Sequence, residues 1–263
     1  MLLNALLGGM VGVVLALTGA GGGILAVPLL VFGAHLSMAQ AGPIGLMAVA
    51  LASLIGAVLG LRQGIVRYKA AALIAGAGML ASPWGLWLAH RLPNRPLVVM
   101  FALVLFWVAY RSFNQTHALA PADDHERPPC QINPATGRFF WTWATARVFV
   151  SAGVITGILS GLLGVGGGFV LVPVLRRYTD LSMQSIVATA LAVIALVSSA
   201  SVLASSAGGD FNWSVGLPFS AGAVAGVAGG RWLGRYLAGL HLSRAFAVVS
   251  GTAALLLLGK TFL

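Results

Sequence analysis

The sequence predicts an all-α integral membrane protein of about eight transmembrane helices, in two four-helix repeats whose Gly-rich first helices are broken or re-entrant. Composition points there first: of 263 residues, 59% are hydrophobic and 8% charged, whereas soluble domains carry roughly 25% charged residues. The mean hydropathy is +0.97, and apolar stretches near the ~20 residues that cross ~30 Å of hydrocarbon recur along the chain. The third observation is an internal repeat at an offset of 145 residues. Gly21-Gly22-Gly23 before Val27-Pro28 returns as Gly166-Gly167-Gly168 before Val172-Pro173, and Leu36-Ser37-Met38 returns as Leu181-Ser182-Met183. Trp87 pairs with Trp232 and Phe101 with Phe246 at the same spacing.

In chain order, helices are expected at 5–32, 37–60, 70–90 and 96–113, then at 146–175, 184–206, 213–236 and 243–261. Residues 1–113 form the first four-span repeat, 114–145 a polar linker and 146–263 the second repeat. Met1 to Leu17 has no Lys or Arg before its apolar run and reads as a retained first helix. The first and fifth segments exceed a straight span, and each holds Gly-Gly-Gly and then a Pro. Gly-rich backbone followed by Pro interrupts the helical hydrogen-bond ladder. At membrane depth such a break is tolerable only against protein or a polar cavity. The linker carries Asp123, Asp124, His125 and Glu126 before Pro128-Pro129. Consecutive residues on a solvated linker seldom converge on one ion, so no metal is expected there.

The net charge of +10 comes from residues at the ends of apolar runs, where they anchor helices at the interface. Nucleic acid is therefore not an expected partner. Eight spans place Arg62, Arg67, Lys69, Arg111, Arg127, Arg138, Arg147 and Lys260 on one side. The other side then holds Arg91, Arg95, Arg176, Arg177, Arg231, Arg235 and Arg244. Eight against seven assigns no orientation. Four spans per repeat would make the halves parallel, whereas a half-span at each Gly cluster would make them inverted.

All five acidic residues lie outside the apolar spans. Cation-coupled transport and membrane-embedded acid–base or metal catalysis both ask for an ionisable group at depth, and none is available. His35, His90 and His241 fall near span ends and suit interfacial or capping roles. Cys130 has no second cysteine for an intrachain disulfide. A phosphate-binding P-loop is excluded, because no Gly-Lys-Ser/Thr follows either Gly cluster.

The strongest site candidates are the repeated Gly clusters, Gly21, Gly22 and Gly23 with Gly166, Gly167 and Gly168. Interrupted helices at equivalent places in two halves commonly build a transporter's substrate site. Without Cβ atoms their N–H groups can approach a ligand, and a half-helix starting there would point its positive end at the same spot. Glycine also permits plain helix packing, the competing explanation. Thr18 and Ser160 sit beside the clusters as hydroxyl candidates. Ser198, Ser201 and Ser205 share one helical face, with Thr189 earlier in the same span, and suit either pore lining or packing. Arg231 has Leu86 opposite it in the first repeat and is either a snorkelling anchor or an anion gate.

The motif Gly-Gly-Gly-x-x-x-Val-Pro-x-Leu, read twice at Gly21 to Leu30 and Gly166 to Leu175, resembles that of the TauE/SafE sulfite-exporter-like family. The resemblance covers nearly the whole chain outside the linker, including both Leu-Ser-Met turns and the stretch at 229–235. It implies a multi-pass bacterial inner-membrane transporter of sulfite, sulfonate or related organic anions. Potential-driven export of such an anion is the expected activity, with no cofactor and no enzymatic step. Uptake of an organosulfur compound, or a non-transport role as a partner subunit of another complex, is the alternative. The expected partners are a small anion and the lipid bilayer, and self-association into a homo-oligomer is compatible with this.

Overall fold

The computed structural model describes residues 1–114, 130, 142–207, 211–234 and 239–262. The first half comprises α1 (Leu2–Thr18), a 3-10 turn (Gly19–Leu25), α2 (Ala26–Gly33), α3 (Met38–Arg62), α4 (Tyr68–Arg91) and α5 (Asn94–Asn114). The second comprises α6 (Trp143–Leu163), α7 (Gly168–Tyr178), α8 (Met183–Ala207), α9 (Trp213–Gly234) and α10 (Gly239–Phe262). Among the described residues, α3, α4, α5, α6 and α8 are long and apolar enough to cross a membrane. Large apolar side chains such as Leu80, Trp84 and Leu203 point outward, at 79%, 71% and 70% exposure. Helices with apolar outer faces suit a lipid surround.

Local chemistry accounts for the repeated turn. Ser37 caps α3 in a reciprocal capping box with Gln40, and Ser182 accepts from the backbone N–H of Ser185 at the start of α8. The duplicated Leu-Ser-Met is thus a duplicated helix start, because a serine oxygen satisfies one of the unpaired N–H groups of the first turn. Phe101 in α5 and Phe246 in α10, the last pair at the 145-residue offset, are both buried.

The first and fifth segments, expected to be broken or re-entrant, are each two helices that fold back on themselves. A Cβ built on Gly22 would lie 2.4 Å from the Leu15 nitrogen, and one on Gly33 would lie 2.5 Å from Leu7 Cδ1. The return helix α2 therefore runs antiparallel to α1. In the second half Cys130 brackets the matching hairpin. Its N–H donates to the Tyr178 carbonyl at the end of α7, and its thiol is bonded by Thr145 at the start of α6. Pro28 sits in the first turn of α2, where the missing N–H costs nothing. Gly164, Gly166 and Gly167 hold φ values of +71°, +77° and +66°, which only glycine adopts freely.

These hairpins set the direction of every later helix. From one end of the molecule, α1 runs inward, α2 returns, and α3, α4 and α5 alternate. The chain therefore leaves α5 at the far end, which also carries Cys130. There α6 starts, and the pattern repeats upside down. Close backbone contacts agree: Gly153, Gly157 and Gly161 of α6 meet Ile74, Gly78 and Ser82 of α4 in the same order. Gly8 and Gly12 of α1 likewise follow Phe219 and Ala223 of α9, so both pairs are parallel. Gly56 and Gly60 of α3 meet Leu191 and Ala188 of α8 in opposite order, an antiparallel pair.

The packing is its own image when the halves are exchanged: α1 on α9 mirrors α6 on α4, and α3 on α9 mirrors α8 on α4. An antiparallel α3–α8 pair that maps onto itself requires a two-fold axis perpendicular to the helices. The halves are inverted, not parallel, and the eight-against-seven charge count fails because it counts each hairpin as a full crossing.

Candidate functional site

The two Gly turns meet at the pseudo-two-fold axis. Val49, near the middle of α3, and Ile194, near the middle of α8, are 145 residues apart and flank the meeting point. A Cβ on Gly23 would lie 2.9 Å from Val49 Cγ2 and 3.2 Å from the Val165 carbonyl oxygen. One on Gly166 would lie 3.1 Å from Val49 Cγ1, 3.0 Å from Ile194 Cγ2 and 2.9 Å from Ser198 Oγ. A Cβ on Gly167 would reach the Thr156 side chain and carbonyl. The backbone of both turns is thus pressed into one small central volume that no side chain longer than glycine would leave intact.

Helix α7 starts there, with Gly167 as its N-cap and no side-chain cap bond. Around it the buried polar side chains are hydroxyls. Among the described residues every buried polar or charged side chain is a Ser or Thr. Ser198, Ser160 and Thr156 are fully buried, and their oxygens have no hydrogen-bond partner. A buried hydroxyl without a partner costs on the order of 1–3 kcal/mol, so several close to one another mark a region arranged for something other than stability.

Ser53, one turn beyond Val49, is likewise fully buried and unpartnered. It stands 145 residues before Ser198. As an isolated serine in an apolar helix it carries no local pattern, although the offset that pairs the Gly clusters leads directly to it. Thr156 was also missed, since a lone Thr in an apolar helix carries no pattern.

The other candidates take separate places. Thr18 Oγ1 donates to the Val14 carbonyl at 2.8 Å, within its own helix. Thr189 Oγ1 accepts the Arg67 backbone N–H at 3.1 Å and so ties α8 to the start of α4. Ser201 bonds Ser82 across α8 and α4, while Ser205 is buried without a partner. Gly22, Gly23 and Gly168 are buried. Gly21 lies in the 3-10 turn, but its surroundings fall outside the description, as does the side chain of Arg231 near the end of α9. The run Asp123 to Glu126 lies outside the described residues.

A cleft of about 530 Å³ opens between α3 and α8 at the Cys130 end. Gly56 and Gly60 form one wall, Ala188 and Leu191 the other, and Gln63 and Gln184 supply its polar side chains. Leu191 is less than one helical turn from Ile194, so the cleft ends close to the meeting point of the hairpins.

A sequence model described as sulfite exporter TauE/SafE matches residues 4–257. A probable membrane transporter protein of Xylella fastidiosa strain Temecula1 is 26% identical over 262 residues, covering 97% of this chain and 94% of the relative. Its counterpart in Xylella fastidiosa strain 9a5c is 24% identical over the same shares. No solved structure matches the chain.

Proposed function

This chain belongs to the TauE/SafE family of sulfite exporters, a multi-pass protein of the bacterial cell membrane, and from that premise we propose that it exports a small sulfur-containing or organic anion down the membrane potential. Each half is a re-entrant hairpin followed by three longer helices, in place of the four full spans expected from the sequence. The anion pauses between the two Gly turns, where glycine leaves backbone N–H groups approachable and α7 directs its positive end. Ser198 and Ser53 offer hydroxyl donors from the two halves.

The observation that carries this is the convergence of both Gly turns on Val49 and Ile194 beside unpartnered, fully buried hydroxyls. Hydrogen-bond donors without a fixed charge hold an anion weakly enough to release it. A carboxylate in that place would repel it, and the described interior holds none. The same lack of a buried acid or base favours a transporter over an enzyme. An inside-negative potential drives an anion outward by about 2.3 kcal/mol per charge per 100 mV, so export needs no coupling ion.

The test is uptake and efflux of labelled sulfite, a small sulfonate and chloride in proteoliposomes. Flux of the sulfur oxyanion well above protein-free liposomes, and above chloride, supports the proposal. Equal leak with and without protein overturns it.

A further inference from the structure

The inverted arrangement changes the charge count. Of the 15 Lys and Arg residues, Arg127, Arg138 and Arg235 fall outside the described residues, which leaves 12. Helix directions sort these into two ends. At the Cys130 end lie Arg62, Arg67 and Lys69 around the α3–α4 turn, with Arg111 closing α5 and Arg147 opening α6. Arg176 and Arg177 close α7 there, and Arg231 and Arg244 flank the α9–α10 connection. At the other end, with Met1, lie Arg91 and Arg95 around the α4–α5 turn and Lys260 in the last turn of α10. The balance is nine against three.

Cationic residues collect on the cytoplasmic side of membrane proteins, where the leaflet carries anionic headgroups that attract Lys and Arg held near the surface. Parallel halves would divide the same twelve residues six against six, so the excess of six comes from the inverted arrangement. Aromatic neighbours reinforce the interfacial placement. The Arg111 guanidinium lies 5.6 Å from the Trp107 ring centre and that of Arg177 lies 5.9 Å from Tyr178, within reach of cation–π attraction. Arg111 also stands within electrostatic range of Arg176 and Arg177. This makes a concentrated positive rim that an anionic lipid surface complements.

We propose that the Cys130 end faces the cytoplasm and both chain termini lie on the outer side, so that the cleft between α3 and α8 is a cytoplasmic vestibule. The orientation stands on helix direction and charge alone. The vestibule rests on the transport proposal above: its inner end is Leu191, which packs on Gly56 less than one turn along α8 from Ile194 and closes the cleft off from the Gly turns, and its Gln63 and Gln184 amides offer neutral donors to an incoming anion.

The orientation is tested in the full chain carrying Cys130→Ala. Two single cysteines, Ala39→Cys at the terminal end and Gln63→Cys at the vestibule, both exposed positions, are treated with a membrane-impermeant maleimide in spheroplasts and in lysed membranes. The expected result is labelling of Ala39→Cys in spheroplasts and of Gln63→Cys only after lysis. The reverse pattern, or labelling of both from outside, overturns the orientation. A C-terminal alkaline phosphatase fusion should be active and a C-terminal green fluorescent fusion dark, and the opposite pair of results also overturns it. Correct labelling with absent anion flux would instead sink the transport proposal and leave the orientation standing.

Discussion

Gly23 of the first half packs on Val165 of the second. A Cβ on Gly23 would lie 3.2 Å from the Val165 carbonyl oxygen, tighter than ordinary van der Waals contact. Backbone thus touches backbone across the symmetry axis, with Val49 and Ile194 on its flanks. Residues 142 positions apart in sequence meet because each Gly turn lets its hairpin reach the middle of the molecule and then reverse.

Gly166 is bound to that geometry twice, by its φ of +77° and by its neighbours. Gly64, in the α3–α4 turn, has a φ of +68° and nothing within 4 Å of an added Cβ. Gly64→Ala should cost about 1–2 kcal/mol for the left-handed backbone alone. Gly166→Ala should lower the melting temperature of purified protein further and abolish flux. Equal melting temperatures with intact transport in both variants would show that the centre tolerates side chains.

The α4–α6 contact makes a separate claim about assembly. A Cβ on Gly157 would lie 2.2 Å from the Gly78 carbonyl oxygen, whereas one on Gly76 meets nothing within 4 Å. Gly157→Ala must push the helices apart, and such overpacking typically costs about 1–3 kcal/mol. Folded yield on size-exclusion chromatography should fall for Gly157→Ala and hold for Gly76→Ala. Similar yields would mean that the two helices are not in backbone contact.

Ser53 and Ser198 should matter to flux and not to folding. Removing a buried hydroxyl that has no partner relieves its desolvation cost and does not weaken the fold. Losing one hydrogen bond to a bound anion costs roughly 1.4 kcal/mol, about tenfold in affinity. Ser53→Ala and Ser198→Ala should each raise the half-saturating sulfite concentration by about tenfold, with a melting temperature no lower than that of the parent. Full transport by the double variant would remove both from the site.

Cys130 gives a pH readout at the linker. Burial raises its thiol pKa, the nearby Asp180 charge adds to the rise, and the Thr145 hydrogen bond opposes it. The folded state therefore holds the neutral thiol. Its contribution to stability is present below the ordinary cysteine pKa and is lost as the pH rises past that value. Iodoacetamide should modify Cys130 more slowly in folded than in denatured protein at pH 8, with Asp180→Asn narrowing the gap. Equal rates would mean that Cys130 is not held between Thr145 and Tyr178.

Much of this was legible before any coordinates. The 145-residue offset matched helix to helix, Ser37 and Ser182 marked two real helix starts, and the Gly clusters marked two real breaks. What escaped was long-range. Whether Gly33 returns to Leu7 depends on packing between segments and not on any local pattern, yet it alone inverts the second half. The matching reversal at α6–α7 then turns an even six-against-six division of the twelve described cations into nine against three. Ser53 escaped for a different reason: an isolated serine in an apolar helix looks like packing until Ser198 is known to face the turn.

The central claim is that two inverted Gly hairpins form a neutral-donor anion site through which the membrane potential drives export. The most direct measurement is sulfite efflux from proteoliposomes under an imposed potassium diffusion potential, with the pH gradient clamped at zero. The account predicts efflux that rises steeply as the interior becomes more negative, and that falls in the Ser53→Ala/Ser198→Ala double variant. Efflux indifferent to potential and strictly dependent on a proton gradient would contradict it.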